Sequence, residues 1–225
     1  KYGFRRAFTI RPHLLKGMLS ISGWTMVQSF ISVSIWFIFF LAIEHLGERP
    51  LAVTNIVRNI SALLIMVISA FATTAGALIS NQIGAGEQRC LFKTCGMTLK
   101  LTYAILIPLL IILCLFPESV LRAFTDSPSL IAASVNSVYV MASSTLIMAP
   151  SFILFNAVSG TGNTRAGFIM EMISLAVYTA VIYYGIIRLK PDVALCWFSE
   201  HVYGVTLIFL AWWYLKSGKW RGKKV

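Results

Sequence analysis

From Asn59 to Gly86 the chain runs 28 residues without a charged side chain, and from Ser127 to Thr164 it runs 38. Such runs restrict the fold more than any other feature of the sequence. A helix rising about 1.5 Å per residue needs about 20 apolar residues to cross roughly 30 Å of bilayer hydrocarbon. In that solvent only a helix or a closed barrel satisfies its own backbone N–H and C=O groups. The chain therefore reads as an all-α, polytopic membrane protein. Composition agrees, because 58% of its 225 residues are hydrophobic, 12% are charged, and the mean hydropathy is +0.80. A water-exposed domain lacks the polar surface to cover so much apolar area.

Counting uncharged and nearly uncharged runs predicts six spans, at 18–43, 59–86, 101–117, 136–158, 166–187 and 196–215, the fifth carrying Glu171 near its start and the sixth Glu200 and His201 near its outer end. The third is short unless its helix begins a turn or more earlier, near Thr94 or Lys100, which long basic side chains permit by snorkelling. The 38-residue run overshoots one bilayer, so 128–135 is placed at the interface and 160–164 in a loop. Residues 1–17 then read as a cytoplasmic linker or a surface-lying helix, 18–215 as the six-helix lobe, and 216–225 as a basic cytoplasmic tail. The sequence begins with Lys1, and its first apolar run is too long for a signal-peptide core, so it reads as a piece of a longer protein.

The formal charge of +11 comes from 19 Lys and Arg against 8 acids. With six spans and the N-terminus inside, fourteen of the basic residues fall in 1–17, 87–100, 165 and 216–225, on the cytoplasmic side. Arg49, Arg58, Arg122, Arg188 and Lys190 remain outside. This positive-inside asymmetry gives the charge a membrane address, with no nucleic acid among the expected partners, and both termini are expected in the cytoplasm. The six tryptophans are expected near span ends, where an indole N–H meets the headgroup layer.

No catalytic signature is present: no GxSxG, no HExxH, no Walker loop and no glycine-rich dinucleotide fingerprint. The four cysteines form no CxxC pair and read as packing residues. His13, His45 and His201 are far apart in sequence, so neither an enzyme, a metal site nor a cofactor is expected. What remains is a set of polar residues at membrane depth, the usual mark of a substrate or ion path. The cleft candidates are Gln28 and Ser32 in the first span, Arg58 and Asn59 at the second, Tyr139 and Asn156 in the fourth, and Glu171 in the fifth.

Each candidate has a structural alternative. Hydroxyls bond back to their own helix, and amides in hydrocarbon seek partners inside the bundle. Arg58 either snorkels, meets Glu44 or Glu48, or faces a water-filled cleft. Glu171 either reaches the cytoplasmic interface and a loop cation, or serves a proton or a substrate. Pro108 and Pro150 each remove a backbone donor within a span, as in helices that bend during transport.

Two loops carry a further signal. The second span ends in Ala77-Leu78-Ile79-Ser80-Asn81-Gln82-Ile83-Gly84-Ala85-Gly86-Glu87, and the fourth is followed by Ser159-Gly160-Thr161-Gly162-Asn163-Thr164-Arg165. The first resembles the signature that ends the second helix of each half in multidrug and toxic compound extrusion (MATE) transporters, and the second is similar to that family's R-G-T-G-D-T loop. Leu46-Gly47 fits the family's short outer turn. The resemblance covers nearly all of the chain and implies the C-terminal lobe, helices seven to twelve of twelve, with an N-terminal six-helix lobe as partner. It implies a proton- or sodium-coupled antiporter of the bacterial inner membrane that exports a small molecule through a cleft between lobes. A lipid-linked oligosaccharide flippase of the same superfamily, or a membrane assembly subunit without transport, are the alternatives. The motif residues Gln82, Gly84, Gly86, Gly160, Gly162, Asn163 and Thr164 are then expected to shape tight helix reversals and helix caps. At the family's carboxylate positions in the first and fourth helices this chain has Ser32 and Met148, neither of which binds a cation by charge.

Overall fold

A computed structural model describes residues 12–218 and 220, and of 12–22, 24 and 25 the backbone alone. Lys1, Arg5, Arg6, Arg11, Lys219, Arg221, Lys223 and Lys224 lie outside the described residues, as do the side chains of His13, Lys16 and Trp24.

The described residues form helices and no strand, in the order α1 (Pro12–Glu44), α2 (Glu48–Gly84), α3 (Leu91–Leu115), α4 (Pro117–Leu121), α5 (Pro128–Gly160), α6 (Thr164–Val181), α7 (Val193–Cys196) and α8 (Ser199–Ser217). A 3₁₀ turn, Gln88–Cys90, leads into α3, and a π-helical stretch, Ile182–Arg188, prolongs α6. Six segments are long and apolar enough to cross a membrane. The structure is thus the six-helix all-α bundle that the uncharged runs predict.

The helices run further than the runs. Helix α2 starts eleven residues before Asn59, and α5 starts at Pro128 where the sequence reading placed interfacial chain. Loss of charge marks where hydrocarbon begins, whereas a helix keeps its i→i−4 bonds through the headgroup layer as well. Prolines at the starts of α4 and α5 occupy positions whose N–H would have no intrahelical partner. Helix α1 begins at Pro12, so the expected boundary at residue 17 falls inside it. The sixth span is interrupted between Cys196 and Ser199.

Tight reversals join the helices. Gly47 (φ 120°), Gly86 (φ 82°) and Gly162 (φ 77°) supply left-handed backbone in the loops after α1, α2 and α5. Asn163 caps α6, its Oδ1 accepting from Ala166 N at 3.2 Å, while Thr164 is the first residue of that helix. Gly160 has another role. A Cβ built on it would stand 2.5 Å from Gly76 O, and one on Gly76 would stand 2.9 Å from Asn156 O. Small residues here let α2 and α5 approach backbone to backbone, as membrane helices do when no hydrophobic force drives them together.

Around this pair the core fills in three groups: Val57, Ile68, Leu106 and Met141; Ala72, Ile79, Ile153 and Leu207; and Phe39, Ile43, Tyr178 and Ile182. Pro150 leaves the carbonyl of Leu146, four residues earlier, without its helical donor, and Tyr103 Oη of α3 donates to that oxygen at 2.7 Å. Trp197 and Trp220, near the two ends of the sixth span, are buried against the bundle, the latter donating Nε1–H to Leu215 O at 2.9 Å.

Candidate functional site

Helices α1, α6 and α8 meet at Glu171, which is 5% exposed. Its Oε1 accepts hydrogen bonds of 2.9 Å from Ser32 Oγ of α1 and 2.9 Å from Tyr203 Oη of α8. The Ser32 hydroxyl has one proton and two acceptors in reach, the second being Gln28 O at 3.0 Å on its own helix. Tyr203 has a single partner, so it is the firmer of the two donors. An isolated carboxylate in an apolar bundle is expensive, and hydrogen bonding to both neighbours is what makes this one tolerable.

Glu171 lies on the wall of a cleft of about 230 Å³, lined also by Ser69, Thr73, Phe152, Phe155, Asn156, Tyr203 and Leu207. Asn156 donates Nδ2–H to Phe152 O at 2.9 Å, one turn back on α5. The cleft therefore combines one acid, an amide and three hydroxyls with aromatic and aliphatic surface, a lining suited to small amphipathic molecules. It continues along the face of α2 through Ser69 and Thr73 into a shallower groove that also includes Thr74 and Asn81.

The expected residues divide between this cleft and elsewhere. Ser32, Asn156 and Glu171 come together. Gln28 sits one turn before Ser32, with its backbone carbonyl engaged. Arg58 is not part of the cleft lining; its guanidinium lies over the Phe40 ring of α1, 5.3 Å from the centroid, where the ring's π face receives the cation. Asn59 is exposed beside it. Tyr139 lies on the α3 side of α5, donating to Cys114 O at 3.4 Å. Among the described residues Glu171 meets no loop cation, because its helix turns it inward against α1 and α8. Met148 is buried core.

Sequence reading overlooked Tyr203, Tyr178 and Glu200. Glu200 is buried, and its Oε1 accepts from Tyr178 Oη of α6 at 2.7 Å. Aromatic residues in a span read as core or belt, and nothing in a linear pattern shows that a phenol faces an acid 32 residues away. The motif residues gather at one end of the bundle: Gln82 Oε1 accepts from Thr94 Oγ1 at 2.9 Å across the α2–α3 turn, and Asn163 Nδ2 donates to Tyr214 Oη at 2.6 Å. Gly84 adopts no left-handed backbone and has open space around it, so it is a helical residue and no hinge of the turn.

The family profile MatE matches residues 25–184, more than half of the chain. The chain belongs to the MatE family. Its fold matches solved structures of MATE transporters. One is an outward-facing multidrug resistance MATE family transporter of the MOP superfamily, with a TM-score of 0.79 at 14% identity, over 91% of this chain and 46% of that one. Another is a MOP superfamily transporter from Pyrococcus furiosus Vc1 (DSM3638), whose binding pocket has reversed polarity, suggesting a different function; here the TM-score is 0.77 at 14% identity, over 88% and 44% of the chains. A third, a MATE protein in its straight conformation, gives 0.76 at 14% identity, over 93% and 47%. The chain thus spans under half the length of these structures. No curated protein matches it. Members of this family are transporters rather than enzymes, which agrees with the lack of a catalytic signature in this MatE chain.

Proposed function

We propose that this chain is the C-terminal lobe of a proton-coupled efflux antiporter that works by alternating access in a bacterial inner membrane, with both termini in the cytoplasm. One observation carries the reading: a buried carboxylate, Glu171, is held by hydroxyls of two other helices on the wall of a cleft large enough for part of a small organic molecule. A carboxylate that binds a proton loses its charge and its demand for two donors. The contacts that tie α6 to α1 and α8 then weaken, and they reform when the proton leaves. That is a two-state element biased by an ion, which alternating access requires. A proton is the simpler coupling ion here, because it binds a carboxylate oxygen without a shell of further oxygen ligands, and the hydroxyls of Ser32 and Tyr203 can rotate to accept from the protonated acid.

The substrate class follows from the lining. One acid beside Phe152 and Phe155 favours amphipathic molecules, cationic ones included. The flippase alternative needs a cationic cleft for phosphates, and Arg58 is engaged with Phe40 instead.

The test uses the full-length protein in proteoliposomes with an imposed proton gradient and a fluorescent cationic dye. Glu171→Gln is expected to abolish gradient-driven efflux, while dye exchange without a gradient persists at a lower affinity for the cation, because the cleft loses its one acid. Gradient-driven efflux at the wild-type rate in that variant would remove Glu171 from coupling.

A further inference from the structure

A second carboxylate is buried in the bundle apart from the cleft. Glu200, in the first turn of α8, is 8% exposed. Its carboxylate receives a hydrogen bond from Tyr178 of α6 at 2.7 Å, with Trp36 of α1 nearby. The two acids are wired reciprocally. Helix α6 supplies Glu171 and Tyr178, α8 supplies Glu200 and Tyr203, and each tyrosine reaches the acid of the other helix. Consecutive spans run antiparallel, so the two pairs stack along the bundle. The two tyrosine rings join them, with centroids 5.8 Å apart at an interplanar angle of 67°.

A first-turn carboxylate also complements the helix dipole. That accounts for an acid at the start of α8 but not for where it points, since a dipole is satisfied equally well by a side chain turned to water. Glu200 is instead turned toward neutral donors on two other helices. These are neutral and supply no counter-charge.

Titratable groups close to Glu200 in the chain have partners of their own. From α8 itself, Tyr203 is committed to Glu171, and His201 is turned to α5, where its Nε2 lies 2.9 Å from Ser143 Oγ and its ring stacks on Phe198. Cys196 of α7 directs its thiol at Asp192 O, and Asp192 caps Val193 N. Arg188, the cation at the end of the π-helical stretch, lies over the Tyr183 ring.

We propose that Glu200 is a second proton-binding carboxylate of this lobe, coupled to Glu171 through the facing Tyr178 and Tyr203, so that the lobe holds two exchangeable protons. Binding places a proton from water at the α7–α8 end on a Glu200 carboxyl oxygen, release returns it there, and no other bond changes. The proposal deepens the antiporter reading and rests on its proton coupling. The α7–α8 interruption lies next to Glu200 in the chain, and irregular backbone of this kind at membrane depth is tolerated where it is buried in protein or lines a water-filled cavity.

The experiment is infrared titration of the full-length transporter in lipid nanodiscs, with variant-minus-wild-type spectra isolating each carboxyl band. The expected result is that E171Q removes one pH-dependent carboxyl band, E200Q removes a different one, and Y178F shifts the midpoint of the second. Two results overturn the proposal: a wild-type spectrum in E200Q, or a Glu200 band whose midpoint is the same in Y178F. If E200Q does not fold, Y178F decides alone, because a titration with every carboxyl midpoint unmoved is incompatible with the proposed coupling. The bands are read without transport, so wild-type efflux in E171Q would remove Glu171 from coupling while the Glu200 titration is still decided by its own band.

Discussion

Ser32 and Tyr203 hold the same oxygen of Glu171 on unequal terms. The serine divides one proton between Glu171 and the Gln28 carbonyl, and the tyrosine gives its proton to the acid alone. Tyr203→Phe is therefore expected to slow gradient-driven efflux by about tenfold, equivalent to losing a charge-assisted bond of ~1.5 kcal/mol. Ser32→Ala is expected to slow it less. Equal losses in proteoliposome assays would mean that the serine proton is not shared. Arg58 provides the contrast. Arg58→Ala removes a cation–π contact worth about 0.5–1 kcal/mol and touches nothing in the cleft, so thermal stability in detergent falls slightly and efflux does not change. A large loss of efflux would return Arg58 to the site.

Between elements, the crossing of α2 and α5 is the tightest contact and the most sensitive to volume. Gly160→Ala places a methyl 2.5 Å from Gly76 O, where backbone rather than a flexible side chain must give way. The expected cost is about 1–3 kcal/mol, read as a lower unfolding midpoint by circular dichroism or fluorescence. Gly84→Ala, in the other motif, meets open space within a helix and should be neutral or stabilising by about 0.4–1 kcal/mol. Matching destabilisation in both would show that the α2–α5 approach is not what Gly160 serves. A second contact between elements answers a proline. Tyr103→Phe strips the donor from the carbonyl that Pro150 leaves open, and an unsatisfied carbonyl in hydrocarbon costs about 1–3 kcal/mol. An unchanged midpoint would imply that water or a rearranged α5 fills the role.

For the whole molecule the testable quantity is the path through the membrane. An even number of spans places the loops after α2 and α5 on one face, with the end of α8, and the loops after α3 and α6 on the other. Single cysteines at Glu87, Gly162 and Ser217 are expected to react with a membrane-impermeant maleimide from one side. Those at Asp126 and Lys190 are expected to react only from the opposite side. Any mixing of the two sets would overturn the six-span path.

The number of spans, the two glycine-bearing loops and the family were all readable in the linear sequence, because a bilayer judges each segment by its own length and polarity. Gly86 and Gly162 are likewise local, since a left-handed turn depends on one residue. The ends of α2 and α5 are not legible in the uncharged runs for the complementary reason: helix hydrogen bonding continues past the point where hydrocarbon ends and charge returns. Tertiary structure alone decided which polar side chains meet. Glu171 faces Tyr203, Tyr178 faces Glu200, and Arg58 faces Phe40 because α1, α2, α6 and α8 are packed at particular rotations. Rotation about a helix axis is fixed by close contacts such as Gly76 against Gly160, which join residues 84 positions apart.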